Sequence, residues 1–255
     1  KNTIEEGFKQ FAALIPEDKQ LFVRKGIEIG RAHKTYAVNE EADYYSDNLR
    51  MENDTIYFDF HTPEETVRDF AWEIPGIHNV ENATVALAIL RNLGVGFETL
   101  KNAIANFKGI KRRYTKHRYE TGKIYIDDYA HHPTEINAVM SSIRTFYPEK
   151  KLLVVFQPHL FSRTRDFADG FAESLSKADE LILLDIYPAR ELQENFEGIT
   201  SDWLLEKVTL DKKEVSTLHD SFNKIKEKEF DILLTVGAGN IDTLYDPICE
   251  WMEKN

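Results

Sequence analysis

Cysteine is nearly absent: Cys249 stands alone in 255 residues. That excludes an intrachain disulfide and a zinc site built from thiolates, and it fits a reducing compartment. Long apolar runs are missing as well. The longest, such as Leu152 to Phe156 and Leu181 to Leu184, fall far short of the roughly 18–20 residues a membrane helix needs. No apolar signal core stands at the amino terminus, so the expectation is a soluble, cytoplasmic chain with no membrane partner. Basic charge is scarce: 32 Lys and Arg against 44 Asp and Glu leave a net charge of -12. Broad binding to nucleic acid, which needs clustered cations, is thereby disfavoured, and an anionic substrate would have to be met by local basic residues. Two nucleotide fingerprints are also lacking. No Gly-x-x-x-x-Gly-Lys-Ser/Thr occurs anywhere, and Gly237-Ala238-Gly239 fails the dinucleotide pattern because position 242 is Asp.

What is present is the composition of a folded protein, 42% apolar and 12% aromatic, with no internal repeat or low-complexity tract. The length suffices for two ordinary cores. Ile4, Phe8, Phe11 and Ala12 recur at helical spacing before Pro16, which predicts an amphipathic helix over 3–14. From Gln20 to Glu73, short alternating runs separated by polar stretches such as Glu52-Asn53-Asp54 predict antiparallel strands. Two helices follow, over 79–93 and 98–107, with Gly94 between them. A hairpin around Thr121-Gly122 comes next, and the domain boundary is placed near Arg112, dividing the chain into 1–112 and 113–255. Thereafter helices are expected over 133–146, 165–176, 201–206, 221–228 and 242–252, with apolar strands over 151–156, 180–185 and 231–236. Continuous apolar strands alternating with amphipathic helices imply a Rossmann-like α/β unit, its parallel sheet covered on both faces.

Four segments could carry chemistry. Asp127-Asp128-Tyr129-Ala130-His131-His132-Pro133-Thr134-Glu135 joins a strand end to a helix start, where open α/β sheets bind ligands. Its carboxylates and imidazoles could accept ribose hydroxyls or a proton; the structural alternative is helix capping by His132 or Asp128. A metal reading is disfavoured because adjacent histidines at a helix start point in different directions. Gln157-Pro158-His159-Leu160-Phe161-Ser162-Arg163-Thr164-Arg165 likewise follows a strand. There Arg163 and Arg165, aided by a helix amino terminus, could grip a carboxylate or phosphate. Asn79 and Asn82, after Pro75-Gly76-Ile77-His78, are three apart and can share a helix face, where an amide could pair with adenine or merely cap. The glycines of Gly237-Ala238-Gly239 allow close backbone approach to a ligand, or form only a tight turn.

Taken in order, Gly76–Asn82, Phe107–Arg113, Asp127–Glu135 and Gln157–Thr164 resemble the Mur ligases, and among them the alanine-adding member. The resemblance implies an α/β protein: the latter part of a central ATP-binding domain, its phosphate loop lying upstream of Lys1, followed by a Rossmann-like, mostly parallel carboxyl-terminal ligase domain. It further implies a bacterial cell-wall precursor enzyme. ATP and Mg2+ would be required, with UDP-N-acetylmuramate and L-alanine as substrates, the principal magnesium ligands outside these residues, and no metal held here. Carried over by motif, His78, Asn79 and Asn82 would hold adenine, and Arg113 and Asp128 would contact the nucleotide. His131, His132 and Arg163 would face the muramoyl or alanine end. Asp128, His132 and Arg113 are the expected catalytic set, and either histidine could orient the incoming amine. Leu160 departs from the resemblance, since many relatives carry a basic residue there. Without its amino-terminal half the chain is expected to fold without turning over. A ligase that attaches a recycled peptide to the same sugar nucleotide, or a non-catalytic nucleotide-binding module, are the alternatives.

Overall fold

Short-range signals set the first helix. Thr3 accepts the Glu6 N–H at 3.3 Å while the Glu6 carboxylate accepts the Thr3 N–H at 2.8 Å, a reciprocal cap that starts α1 (Ile4–Ala13). The Arg31 guanidinium closes its other end on the carbonyls of Ala12 and Ile15. The structure is a computed structural model describing residues 3–52, 55–74 and 76–255. Lys1, Asn53 and Asp54 of the polar stretch, and Pro75 ahead of the asparagine motif lie outside the described residues. The chain divides into two units, 1–108 and 109–255.

In the first unit, β1 (Phe22–Arg24), β2 (Lys34–Val38), β3 (Tyr44–Glu52), β4 (Thr55–His61) and β5 (Thr66–Trp72) form one sheet in that order. The antiparallel expectation holds for β3 to β5 only; β1–β2 and β2–β3 pair parallel. Parallel neighbours usually need long crossovers. Here the registers run only from Phe22–Lys34 to Arg24–Tyr36 and from Tyr36–Tyr44 to Val38–Ser46, so the short connectors 25–33 and 39–43 reach back far enough. α2 (Ile77–Asn92) lays Val80, Ala83, Thr84, Leu87 and Ala88 on β2 and β3, the i, i+3, i+4, i+7 stripe of a half-buried helix. The Thr84 and Ser46 hydroxyls satisfy each other there at 2.6 Å. α3 (Phe97–Asn106) buries Leu100 and packs on β5. α1 is covered less: Ile4, Phe8, Phe11 and Leu14 are exposed, and a groove of about 720 Å³ runs along the helix beside residues 21–29.

The second unit is a six-stranded sheet ordered β10 (Lys213–Ser216), β9 (Glu180–Leu184), β8 (Leu152–Phe156), β11 (Ile232–Val236), β7 (Ile124–Asp128), β6 (Thr115–Arg118). All neighbours are parallel except the β6–β7 hairpin, so the Rossmann-like expectation is met. β7, β8, β9 and β11 are buried at every position, as strands covered on both faces must be. One face sets Tyr125, Leu153, Val155, Ile182 and Leu233 against α8 (Leu218–Lys226) and α9 (Tyr245–Met252). On the other, Phe156 meets Phe171 of α6 (Ala168–Leu175) at 5.4 Å between ring centroids, and α6 packs on α4 (Pro133–Phe146) and α7 (Ser201–Lys207).

Three expectations need correction. The helix assigned to 165–176 begins at Phe161 and breaks at Phe167, giving α5 (Phe161–Asp166) and α6. The helix assigned to 242–252 is a 3-10 turn, Asn240–Leu244, followed by α9. Strand β10 was not anticipated, because Lys-Glu-Val-Ser is a short edge segment whose polar side chains face partly to solvent.

Candidate functional site

Parallel strands deliver their carboxyl ends to one edge of the sheet. In the second unit that edge gathers the segments after β7 (129–132), β8 (157–160), β9 (185–191) and β11 (237–239). Chain order reverses there: β11 lies between β7 and β8, which are consecutive in sequence, and such a switch point leaves a crevice outside the strand ends.

The two adjacent aspartates at the end of β7 behave differently. Asp127 is 1% exposed, accepting the Thr235 hydroxyl at 2.7 Å and the Arg112 Nε–H at 3.2 Å. Burial raises its pKa, against the pull of Thr235 and Arg112. Arg112 also donates to the Gly237 carbonyl at 2.6 Å. Asp127 therefore serves the interior and is no ribose acceptor. Asp128 accepts the Ala130 N–H on one oxygen and the Tyr114 N–H on the other, both at 2.7 Å. Burial pushes its pKa up to about 6, while those two donors and the nearby Arg113 charge draw it down. Each of its oxygens keeps a lone pair beyond the backbone bond. Arg113 is exposed, and its guanidinium lies 5.5 Å from the centre of the Tyr129 ring, with that of Arg112 5.2 Å from the same ring.

The histidines separate by their partners. His132 caps α4: its Nδ1 accepts the Thr134 N–H at 3.3 Å, and Glu135 completes the reciprocal cap by accepting the His132 N–H. A nitrogen that accepts carries no proton, so neutral His132 holds its proton on Nε2 and can only donate from there. His131 is the converse. Its Nδ1 lies 3.0 Å from the Tyr129 carbonyl, which can only accept, so Nδ1 holds the proton and Nε2 presents a lone pair. The Glu135 carboxylate, 3.5 Å from the same Nδ1, supports that orientation. The capping alternative thus accounts for His132, and of the two histidines only His131 has the form of a proton acceptor.

After β8, the anticipated pair of arginines separates. Arg165 points to Asp166 at 2.8 Å, whereas Arg163 lies 3.5 Å from His159 Nδ1 and, among the described residues, has no carboxylate within 4.0 Å. The helix amino terminus expected to help them is taken. Glu191 accepts the Ser162 N–H at 3.0 Å and the Ser162 hydroxyl at 2.5 Å; burial works against its charge, but these bonds hold its pKa below the usual carboxylate value. Leu160 is buried at φ +73°, so its side chain adds no charge here. His159 titrates below its ordinary range, lowered first by burial and then by Arg163 and His131.

The glycines after β11 approach protein. A Cβ at Gly237 would stand 2.7 Å from the Gln157 carbonyl, and one at Gly239 would meet Gln157 Oε1 and Tyr187 Cβ, the latter at 2.8 Å. Gln157 itself bridges to the Asn240 side chain at 2.7 Å and the Ile241 N–H at 2.9 Å. The tight-turn reading is the one the structure supports.

Asp128 thus closes β7, His131 and His132 lie in the segment that follows it, Arg163 stands in the first turn of α5, and Arg113 lies on the short run leading into β6. His78, Asn79 and Asn82 lie on the first turns of α2 in the first unit, where Gly76 at φ +106° precedes the helix. The Arg112–Asp127 pair and the Glu191–Ser162 clasp had no local sequence signal, because their members lie far apart in the chain.

Residues 1–90 match the family model of the Mur ligase middle domain, and residues 112–239 match that of the Mur ligase glutamate ligase domain. The chain belongs to the Mur ligase family. Among relatives of this Mur ligase chain, a UDP-N-acetylmuramate--L-alanine ligase of Flavobacterium johnsoniae is 44% identical over 254 residues, covering 100% of this chain and 56% of that protein. One from Parabacteroides distasonis is 41% identical over 255 residues, covering 98% and 55%. A solved UDP-N-acetylmuramate-alanine ligase from Thermotoga maritima shares the fold with a TM-score of 0.70 at 24% identity, over 87% of this chain and 48% of that one. The Mur ligase chain thus spans about half the length of the curated relatives it matches. Among its described residues no helix is long and apolar enough to cross a membrane.

Proposed function

We propose that the protein of which this Mur ligase chain forms part joins L-alanine to the carboxylate of UDP-N-acetylmuramate at the expense of ATP, a step in cell-wall precursor synthesis. The observation that carries this reading is the strand-end cluster of the second unit: a guanidinium without a carboxylate partner, Arg163, and an imidazole presenting a lone pair, His131. The names of the relatives supply the substrates. In this reading the terminal phosphoryl group of ATP passes to the muramoyl carboxylate, giving an acyl phosphate and ADP. The alanine nitrogen then attacks the acyl carbon; a C–N bond forms, the C–O bond to phosphate breaks, and phosphate leaves.

Arg163 holds the carboxylate of the incoming amino acid through paired N–H donors. His131 Nε2 receives the proton that the amine sheds and orients its nitrogen, and His132 donates from Nε2 to an oxygen of the muramoyl end. On the first unit the resemblance assigns His78, Asn79 and Asn82 to adenine; on the second it assigns Asp128 and Arg113 to nucleotide contact. The loop that cradles the phosphates belongs to the remainder of the protein. The resemblance also brings in magnesium. Its principal ligands are expected outside these residues, and no step of this reading is routed through it.

The test is phosphate release by the full-length protein with ATP, magnesium, UDP-N-acetylmuramate and either L-alanine or an L-alanyl peptide, repeated with Asp128→Ala. Release driven by alanine and lost in the variant supports the assignment and the site. Preference for the peptide transfers the assignment to a recycling ligase, and no release with either leaves a nucleotide-binding module.

A further inference from the structure

A carboxylate clamp in a protein of net charge -12 needs more local positive charge than one arginine supplies, and Arg165 is committed to Asp166. The next cation comes from the neighbouring strand. The segment after β9 is fastened to the segment after β8 at several points: the Leu160 N–H donates to the Tyr187 carbonyl at 2.9 Å, the Tyr187 N–H donates to the Pro158 carbonyl at 2.8 Å, and Ser162 donates twice to Glu191. The His159 ring also stacks on Tyr187, centroids 5.6 Å apart and planes 23° from parallel. Between the pinned Tyr187 and the pinned Glu191 the chain turns through Ala189 at φ +49°, a conformation few non-glycine residues adopt unless their surroundings hold them there. Arg190 follows that turn. It is exposed, and among the described residues it has no ion pair within 4.0 Å.

Burial lowers the proton affinity of His159 first, Arg163 and, less, Arg190 lower it further, and the Glu191 carboxylate, itself under the Arg190 charge, raises it. The carboxylates in these loops are engaged elsewhere, Glu191 by Ser162 and Glu135 by the N–H groups of His131 and His132. Arg163, 3.5 Å from His159, and Arg190, which stands between the Tyr187 that stacks on His159 and the Glu191 that is fastened to Ser162, bring two guanidinium-bearing residues to adjoining strand ends.

We infer that Arg190 is the second cation of the amino-acid carboxylate site, gripping with Arg163 from the β9 side and thereby setting the preference for a free α-carboxylate. This rests on the ligase reading above. Guanidinium groups on two strands can bind both carboxylate oxygens and fix the plane of the group, which aims the amine at the acyl carbon.

The experiment measures initial rates of the full-length protein with L-alanine and with L-alaninamide, which lacks the carboxylate, for the wild type, Arg190→Ala and Arg190→Lys. In Arg190→Ala, KM for alanine should rise about tenfold or more, the loss expected of a charge-assisted hydrogen bond, and exceed any fall in kcat. KM for alaninamide and for the sugar nucleotide should stay put, and Arg190→Lys should recover part of the loss. An unchanged KM for alanine overturns the assignment of Arg190 alone. A rise confined to the sugar nucleotide overturns it in favour of a diphosphate contact. Absence of alanine-dependent phosphate release by the wild type overturns the ligase reading, and this assignment with it.

Discussion

A methyl group on Gly239 would overlap Gln157 Oε1, the atom that accepts the Ile241 N–H. The close approach places the start of the 3-10 turn, Asn240–Leu244, against the end of β8 and ties two of the strand-end segments together. Gly239→Ala should therefore force Gln157 or the turn to move and destabilise the chain by about 1–3 kcal/mol, the usual range for overpacking a filled site. Urea unfolding checks it: a midpoint equal to that of the wild type would show that the turn yields without cost.

Arg112 and Asp127 form an ion pair with side chains 12% and 1% exposed. Removing one partner leaves the other buried and uncompensated, so Arg112→Met should cost about 3–5 kcal/mol. The double variant Arg112→Met/Asp127→Asn, which removes both charges, should lie well above that single variant in stability. A double variant no more stable than Arg112→Met would mean that the Gly237 carbonyl, and not Asp127, is the partner that matters.

For Asp128, burial pushes the pKa up to about 6, above the unfolded carboxylate value near 4. Between those pH values the folded chain binds more protons than the unfolded chain, so this group's contribution to stability is fully present below about pH 4 and is lost as pH rises through about 6. Chemical denaturation from pH 4 to 7 should show this slope in the wild type against a flatter profile in Asp128→Asn. Parallel profiles in the two proteins would exclude the carboxylate as its source.

The two histidines should separate under substitution in the full-length protein. Asparagine is a good helix cap, so His132→Asn keeps the start of α4 and removes only a donor, whereas His131→Asn removes the imidazole lone pair that the proposed function assigns to the amine's proton. The expected result is a fall in kcat of about 10²–10⁴ for His131→Asn, the span of general-base contributions, and a smaller fall for His132→Asn. The reverse order would exchange the two roles.

Much of the second unit was legible because burial on both faces demands continuous apolar strands: Leu152–Phe156, Glu180–Leu184 and Ile232–Val236 stand where the apolar runs put them. Pro133, whose fixed φ suits a first helical turn, marked the start of α4 to the residue. The first sheet was harder. Alternation of side chains records which face is covered and not the direction of the neighbouring strand, so β1 to β3 were read in the wrong sense. At the candidate site, sequence order showed which polar residues meet at the strand ends. It could not show that Glu191 would occupy the amino terminus of α5, or that Asp127 would turn inward to Arg112 and Thr235, because those choices depend on pairings across 29 and 108 positions.

The Glu191–Ser162 clasp makes the segment after β9 a competitor for the amino terminus of α5. A carboxylate tethered in place has an effective concentration that free anions in solution rarely match, so the amino terminus of α5 is closed to an arriving anion, and the proposed carboxylate site has to rest on side-chain cations instead. In that proposal recognition moves from backbone dipoles, which take any negative charge, to arginines, whose identity and spacing can be changed one substitution at a time.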